Sequence, residues 1–269
     1  MRLFLFIILV VSQPVYTAQY DELIKLGEVK ALVYHPPLYQ KNKPQRWPAI
    51  LFAHGFVGSA ISQDMLLALL AKDGFLVIAI EHRDPVAFER IPPDKPDPRW
   101  KVIKYLKRHP FNNKDYAYRP QEFRQFAREA VNKLPVDRKR IIFAGHSMGG
   151  FSIFNAAQDS AIKPLALIGY SVGELNFKRD RHYFSKEQLA GMSIPLMLFY
   201  GEKEFNSENG SHAEFIRKHY GGNSRLIMID GGTHLSYTNP TRVMGRKQRL
   251  EHINLIHTRT REFLQTVLN

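Results

Sequence analysis

The sequence predicts an α/β architecture, a mostly parallel central sheet with helices on both faces. Three observations predict it. Short apolar runs alternate along the chain with segments of helical periodicity. One of those runs, Phe75 to Ile80, is continuous and rich in branched residues, the pattern of a strand buried on both faces. A further run, Ile141 to Ala144, passes through a glycine-flanked turn straight into a helical stretch, Phe151 to Gln158.

In chain order, Met1-Arg2 precedes an uninterrupted apolar run, Leu3 to Val11, then Ser12-Gln13-Pro14 and the small residues Thr17-Ala18. Residues 1–18 read as a secretory signal peptide, with Arg2 as its basic start and a run too short to span a bilayer. Tyr16 stands where a small residue is preferred for a cut after Ala18, so an uncleaved anchor or a buried first strand stays open. The expected location is secreted or periplasmic, and residues 19–269 have the size that α/β folds commonly use as one domain.

Glu28 to Tyr34 reads as an early strand ended by His35-Pro36-Pro37, and Lys41 to Pro48 as a polar turn. Pro48 to Ala53 is an apolar strand running into His54-Gly55-Phe56-Val57-Gly58-Ser59, where His54 is expected to be a structural turn residue. Ile61 to Lys72 is helical through Met65, Leu66, Leu69 and Leu70, and Gly74 ends it.

After the buried strand Phe75 to Ile80 comes Glu81-His82-Arg83-Asp84-Pro85, expected as a charged brace under a site at the carboxyl edge of the sheet. Residues 86–119 hold five prolines, a basic run and several aromatics; they predict a lid or rim insertion with one short helix near Arg99 to Lys107. Pro120 to Leu134 reads as a helix. Leu165 to Tyr170, Pro195 to Tyr200 and Ser224 to Ile229 read as strands, and Asn206 to Tyr220 includes a helix. Leu250 to Leu268 closes the chain as an amphipathic helix.

Composition narrows the function. Without cysteine there is no disulfide, no thiol nucleophile and no Cys-based metal site. The net charge of +13 has no aromatic-interleaved RNA motif or helix-turn-helix signal beside it, so nucleic acid is not an expected partner. Contact with an anionic membrane or envelope surface is the reading this charge leaves open.

The chemistry concentrates at Gly145-His146-Ser147-Met148-Gly149. A serine presented on a sharp strand-to-helix turn needs neighbours without side chains two residues before and after it, and Gly145 and Gly149 meet that need. The helix start and the Met148 N–H would then direct positive partial charge at a developing oxyanion. A serine hydroxyl is a weak nucleophile and needs a base, which in turn needs a carboxylate to orient it. Of eleven histidines, His234 fits best, on a glycine-rich loop past the last strand. For the acid, Glu204 follows the strand end at Tyr200, with Glu202 and Glu174 as rivals.

Through His54-Gly55-Phe56, Gly145 to Gly150, Gly201 to Glu204 and Gly231 to His234, the chain resembles the α/β-hydrolase superfamily over nearly its whole mature length. Within it, the chain is similar to the dienelactone-hydrolase-like and cutinase-like branch. It is also similar to the platelet-activating-factor acetylhydrolases, through Glu81 to Asp84 and Gly145-His146-Ser147. It departs from the acetylhydrolases in having no aspartate at Ile168-Gly169-Tyr170, and from cutinase-like enzymes in having Glu204 where they use aspartate.

The resemblance implies an α/β-hydrolase fold and hydrolysis of a small-molecule or lipid carboxylic ester through an acyl-enzyme. Ser147, His234 and Glu204 would form the triad, the Phe56 and Met148 N–H groups the oxyanion hole, and no cofactor or metal is implied. A peptidase or carbohydrate deacetylase with the same triad, or a non-catalytic binding protein on a hydrolase scaffold, are the competing readings.

Overall fold

The computed structural model describes residues 19–109, 116–158, 161–173, 184–205, 210–239 and 246–269. The leader reading over residues 1–18 and the rival acid Glu174 lie outside these residues.

The described strands form one eight-stranded sheet in the order β1-β2-β4-β3-β5-β6-β7-β8. β1 (Glu22–Leu26) and β2 (Val29–Tyr34) run antiparallel at one edge, and β2 pairs antiparallel with β4 (Leu76–Glu81). From there β3 (Trp47–Ala53), β5 (Val136–His146), β6 (Ala166–Tyr170), β7 (Leu196–Gly201) and β8 (Ser224–Ile229) add on in parallel. Every residue of β4, β6 and β7 is buried, as strands covered by helices on both faces must be.

The helices are α1 (Asp64–Lys72), entered through a 3-10 turn at Ala60–Gln63, α2 (Arg99–Arg108), α3 (Tyr118–Lys133) and α4 (Met148–Gln158). After these come α5 (Lys186–Ala190), α6 (Glu202–Phe205), α7 (Gly210–His219) and α8 (Arg246–Leu268). Two apolar layers result. Side chains such as Leu51, Ile78, Phe143 and Leu198 pack under α3 and α4 on one face of the sheet. Ile50, Val77, Ile142 and Phe199 point to the other face, where α1 and α8 cover them.

The structure adds α5 and α6, which were not expected, starts α8 at Arg246 instead of Leu250, and differs from the sequence reading in further elements. β1 precedes the first expected strand, the serine strand extends back to Val136, and the serine helix begins at Met148, three residues before Phe151. β1 alternates polar and apolar residues because it is an edge strand with one open side. The early part of β5 exposes Arg138, Lys139 and Arg140, which broke its apolar signal. Parallel strands all end on the same side, which brings the loops after β3, β5, β6, β7 and β8 to one rim.

Candidate active site

Ser147 lies between His146, the last residue of β5, and Met148, the first of α4, with its backbone left-handed at φ +53°. A serine in that conformation is strained and must be held by its surroundings. Its N–H donates to the Tyr170 carbonyl at 2.8 Å, and its carbonyl accepts from the Gly150 N–H at 2.9 Å. The turn also needs its flanking glycines. A Cβ on Gly145 would lie 2.5 Å from the Gly149 backbone, and one on Gly149 would lie 2.0 Å from the Ala53 carbonyl oxygen of β3.

The loop after β8 turns at Gly231, φ +60°, and rests on the loop after β7 so closely that a Cβ on Gly201 would lie 2.3 Å from the Gly232 carbonyl carbon. This contact sets the histidine against the acid. His234 Nε2 stands 2.9 Å from Ser147 Oγ, and His234 Nδ1 stands 2.9 Å from Glu204 Oε2. With the ionised Glu204 able only to accept, Nδ1 carries the proton and Nε2 is left to accept from the serine hydroxyl. The other Glu204 oxygen accepts from the Ser171 hydroxyl at 2.5 Å and the Gly201 N–H at 3.2 Å.

The structure therefore brings Ser147, His234 and Glu204 together. Glu202 does not join them; its carboxylate accepts from the Gly231 N–H at 2.9 Å and so anchors the histidine loop from outside.

Met148, at the start of α4, carries one of the four helix N–H groups that lack an intrahelical acceptor. Phe56 is set by Arg119, which donates to the carbonyls of His54 at 3.0 Å and Gly55 at 3.2 Å. In a trans peptide the C=O and N–H point opposite ways, so holding the Gly55 carbonyl turns the Phe56 N–H away from Arg119. Gly55 in turn abuts the nucleophile position: its Cβ would lie 3.4 Å from Ser147 Cβ.

The segment after β4 is the expected brace. Asp84 accepts from Arg119 Nη2 at 2.7 Å, Arg119 Nε at 3.0 Å, the Tyr118 hydroxyl at 2.7 Å and the Val57 N–H at 3.2 Å. Burial alone would raise the Asp84 carboxyl, but the Arg119 charge and its hydrogen bonds outweigh that and hold it below its usual range. His82 Nδ1 and Arg83 Nε both engage Glu122, at 3.0 and 2.6 Å. His54 accepts from the His82 N–H at 3.0 Å and is fully buried, a turn residue as expected; burial, with the Arg119 charge beside it, keeps it neutral.

Glu81 accepts from Ala60 N–H at 2.6 Å and Ser59 Oγ at 2.8 Å. Burial raises its carboxyl to about 7 in spite of those two bonds.

The model of a family described as the alpha/beta hydrolase fold matches residues 48–187 of this sequence. The chain belongs to that family.

Solved structures share the fold along nearly the whole chain. A ferulic acid esterase from Streptomyces cinnamoneus is 16% identical, with a TM-score of 0.63 over 89% of this chain and 83% of that one. A dienelactone hydrolase from Anabaena variabilis is 15% identical, with a TM-score of 0.59 over 92% and 96%. The Est2 esterase from Thermogutta terrifontis in a propionate-bound structure is 16% identical, with a TM-score of 0.60 over 93% and 94%.

In this α/β-hydrolase, Ser147 and His234 line a cleft of about 340 Å³ whose apolar wall is Phe56, Val57, Phe88 and Leu235. Of the segment 86–119, Phe88 and Glu89 line the cleft, while α2 stands apart from it with only Val102 buried.

Besides Arg119, several further positioning residues escaped the sequence reading. His146 Nε2 donates to the His234 carbonyl at 2.8 Å, and its Nδ1 accepts from Gln63 Nε2 at 3.3 Å. Burial, with His234 beside it, lowers the His146 imidazole to about 3, so it is neutral. Ser171, left-handed at φ +45°, fixes Glu204 from the end of β6. From α8, Arg249 donates to the Leu235 carbonyl, and His252 holds Ser236 Oγ at 3.0 Å and the Asp230 carbonyl at 3.1 Å. The available signals were a histidine ending an apolar strand and polar side chains on the inner face of the last helix.

Proposed function

We propose that the protein is an exported serine hydrolase that cleaves carboxylic esters through an acyl-enzyme on Ser147. The observation that carries this reading is the continuous Glu204–His234–Ser147 chain of 2.9 Å contacts at the rim where the parallel strands end. In the proposed cycle His234 takes the Ser147 proton as Oγ attacks the ester carbonyl, and the carbonyl oxygen becomes an oxyanion. In this cycle the Met148 and Phe56 N–H groups stabilise that charge. The tetrahedral adduct then collapses, the C–O bond breaks, and His234 passes its proton to the leaving alcohol. A water follows the same route in the second half-cycle, giving the carboxylic acid and free serine.

The esterases among the structural neighbours support this class of substrate. Residues 1–18 support export through their leader pattern. The net charge of +13, with Lys101, Lys104, Lys107 and Arg108 on α2 beside the exposed Trp100, supports association with an anionic envelope surface.

The test is labelling with a fluorophosphonate and turnover of short p-nitrophenyl esters. Wild-type protein is expected to react at Ser147 and to hydrolyse the esters, and Ser147→Ala to lose both. Undiminished turnover by the folded Ser147→Ala variant rejects the reading.

A further inference from the structure

One wall of the cleft is ordered by an imidazole. His146 donates through Nε2 to the His234 carbonyl, so its Nδ1 can only accept. Gln63 must therefore present its amide NH₂ to that nitrogen, as it does at 3.3 Å, and its Oε1 is left over. Gln63 is 1% exposed, and Oε1 has no hydrogen-bond partner among the described residues. Oε1 itself has almost no accessible surface, so Gln63 contributes to the cleft as a fixed wall that holds His146 neutral and in place.

Beside Gln63 in the same cleft stands Glu89, the one carboxylate among its lining residues. The Ser62 hydroxyl donates to Glu89 Oε2 and accepts from the Ser59 N–H at 3.0 Å, so Ser62 has its hydrogen already committed. Glu89 Oε1 has no partner among the described residues. Nor is the charge neutralised by its neighbour: Arg90 engages the Asp84 carbonyl at 3.0 Å and Asp97 at 3.3 Å and does not line the cleft. This end of the cleft thus offers an acceptor and negative charge, facing the apolar wall of Phe56, Val57 and Phe88.

We propose that Glu89 forms a donor-reading subsite. It selects esters that carry a hydroxyl or protonated amine away from the scissile bond and disfavours esters that carry a free carboxylate. The inference rests on the serine-hydrolase reading and names the substrate class for that same cleft. A hydroxyl donates to Glu89 Oε1, an ammonium both donates to it and meets its charge, and a carboxylate meets only repulsion.

The test uses four p-nitrophenyl benzoates: unsubstituted, 4-hydroxymethyl, 4-aminomethyl and 4-carboxylate. They are rigid and cannot cyclise. For wild-type protein, kcat/KM is expected to rise roughly tenfold for the hydroxymethyl and aminomethyl esters over the unsubstituted one, and to fall roughly tenfold for the carboxylate. Glu89→Gln should bring the aminomethyl and carboxylate esters to within about threefold of each other, and Glu89→Lys should reverse their order. Fluorophosphonate labelling of Ser147 in each variant reports an intact site.

Four wild-type values within about twofold of one another, with the unsubstituted ester turned over, overturn the subsite and leave the hydrolase reading standing. Retention of the wild-type order by both labelled Glu89 variants overturns it equally. Failure of wild-type protein either to label or to hydrolyse any of the four removes the hydrolase reading and the subsite with it.

Discussion

Glu204 accepts from His234, Ser171 and Gly201, so one carboxylate fixes the tautomer and the tilt of the imidazole. Glu204→Gln keeps the shape but offers His234 Nδ1 an amide that can present N–H in place of an acceptor. Steady-state kinetics should show kcat lowered by roughly 10³- to 10⁴-fold with KM little changed. Glu81 makes a separate residue-scale prediction. Its carboxyl is raised in the fold from 4.5 to about 7, so the native state binds the extra proton between those values. The stabilisation from this group is complete below pH 4.5 and is lost as pH rises through 7. Glu81→Gln should therefore gain stability relative to wild type by about 3 kcal/mol between pH 4.5 and pH 8, read by denaturant titration. A pH-independent difference would contradict the assignment. Ser147, His234 and Glu204 were legible because each follows a strand signal and two of them carry glycine punctuation. His146, Gln63, Ser171 and Arg119 were not, because their roles are set by partners that only the folded sheet brings near.

The strand-turn-helix unit from β5 to α4 depends on backbone contact at two glycines, and its tolerance can be measured. Gly149→Ala would drive a methyl group into the Ala53 carbonyl, so β3 and α4 must separate. A drop in melting temperature together with loss of Ser147 labelling is the expected outcome, and a variant that melts and labels as wild type would show the contact to be soft. The loop after β3 depends on a guanidinium fork. Arg119→Lys retains the charge beside Asp84 but cannot span the His54 and Gly55 carbonyls as well. Its kcat is expected to fall about 10- to 100-fold while the far-ultraviolet circular dichroism is unchanged. At this scale the central strands were legible from their continuous apolar runs, and α2 as the one short helix of the Pro-rich segment. β1 was not, since a half-exposed edge strand lacks the continuous apolar run that marks the interior ones.

For the whole molecule, the alternation of strands and helices gave the architecture, but the strand order is a matter of which loops cross over, and no residue pattern encodes it. The fold also shields His54, His82, His146 and, less deeply, His252, whose burial depresses protonation in the native state. Their sign is opposite to that of Glu81. The stabilisation is present above pH 6.5, the ordinary imidazole value, and is lost as acid forces protons onto groups that the chain releases to water on unfolding. Melting midpoints should decline steadily from pH 6.5 toward pH 4, and a flat profile over that window would show that these rings are reached by solvent.

α8 holds the histidine loop through Arg249 and His252, while Asn239, at the far end of that loop, donates to the Ser62 and Ile61 carbonyls at 2.7 and 2.6 Å. The loop that carries His234 is thus moored at both ends, to the turn before α1 on one side and to α8 on the other, so a pull on either mooring reaches the imidazole.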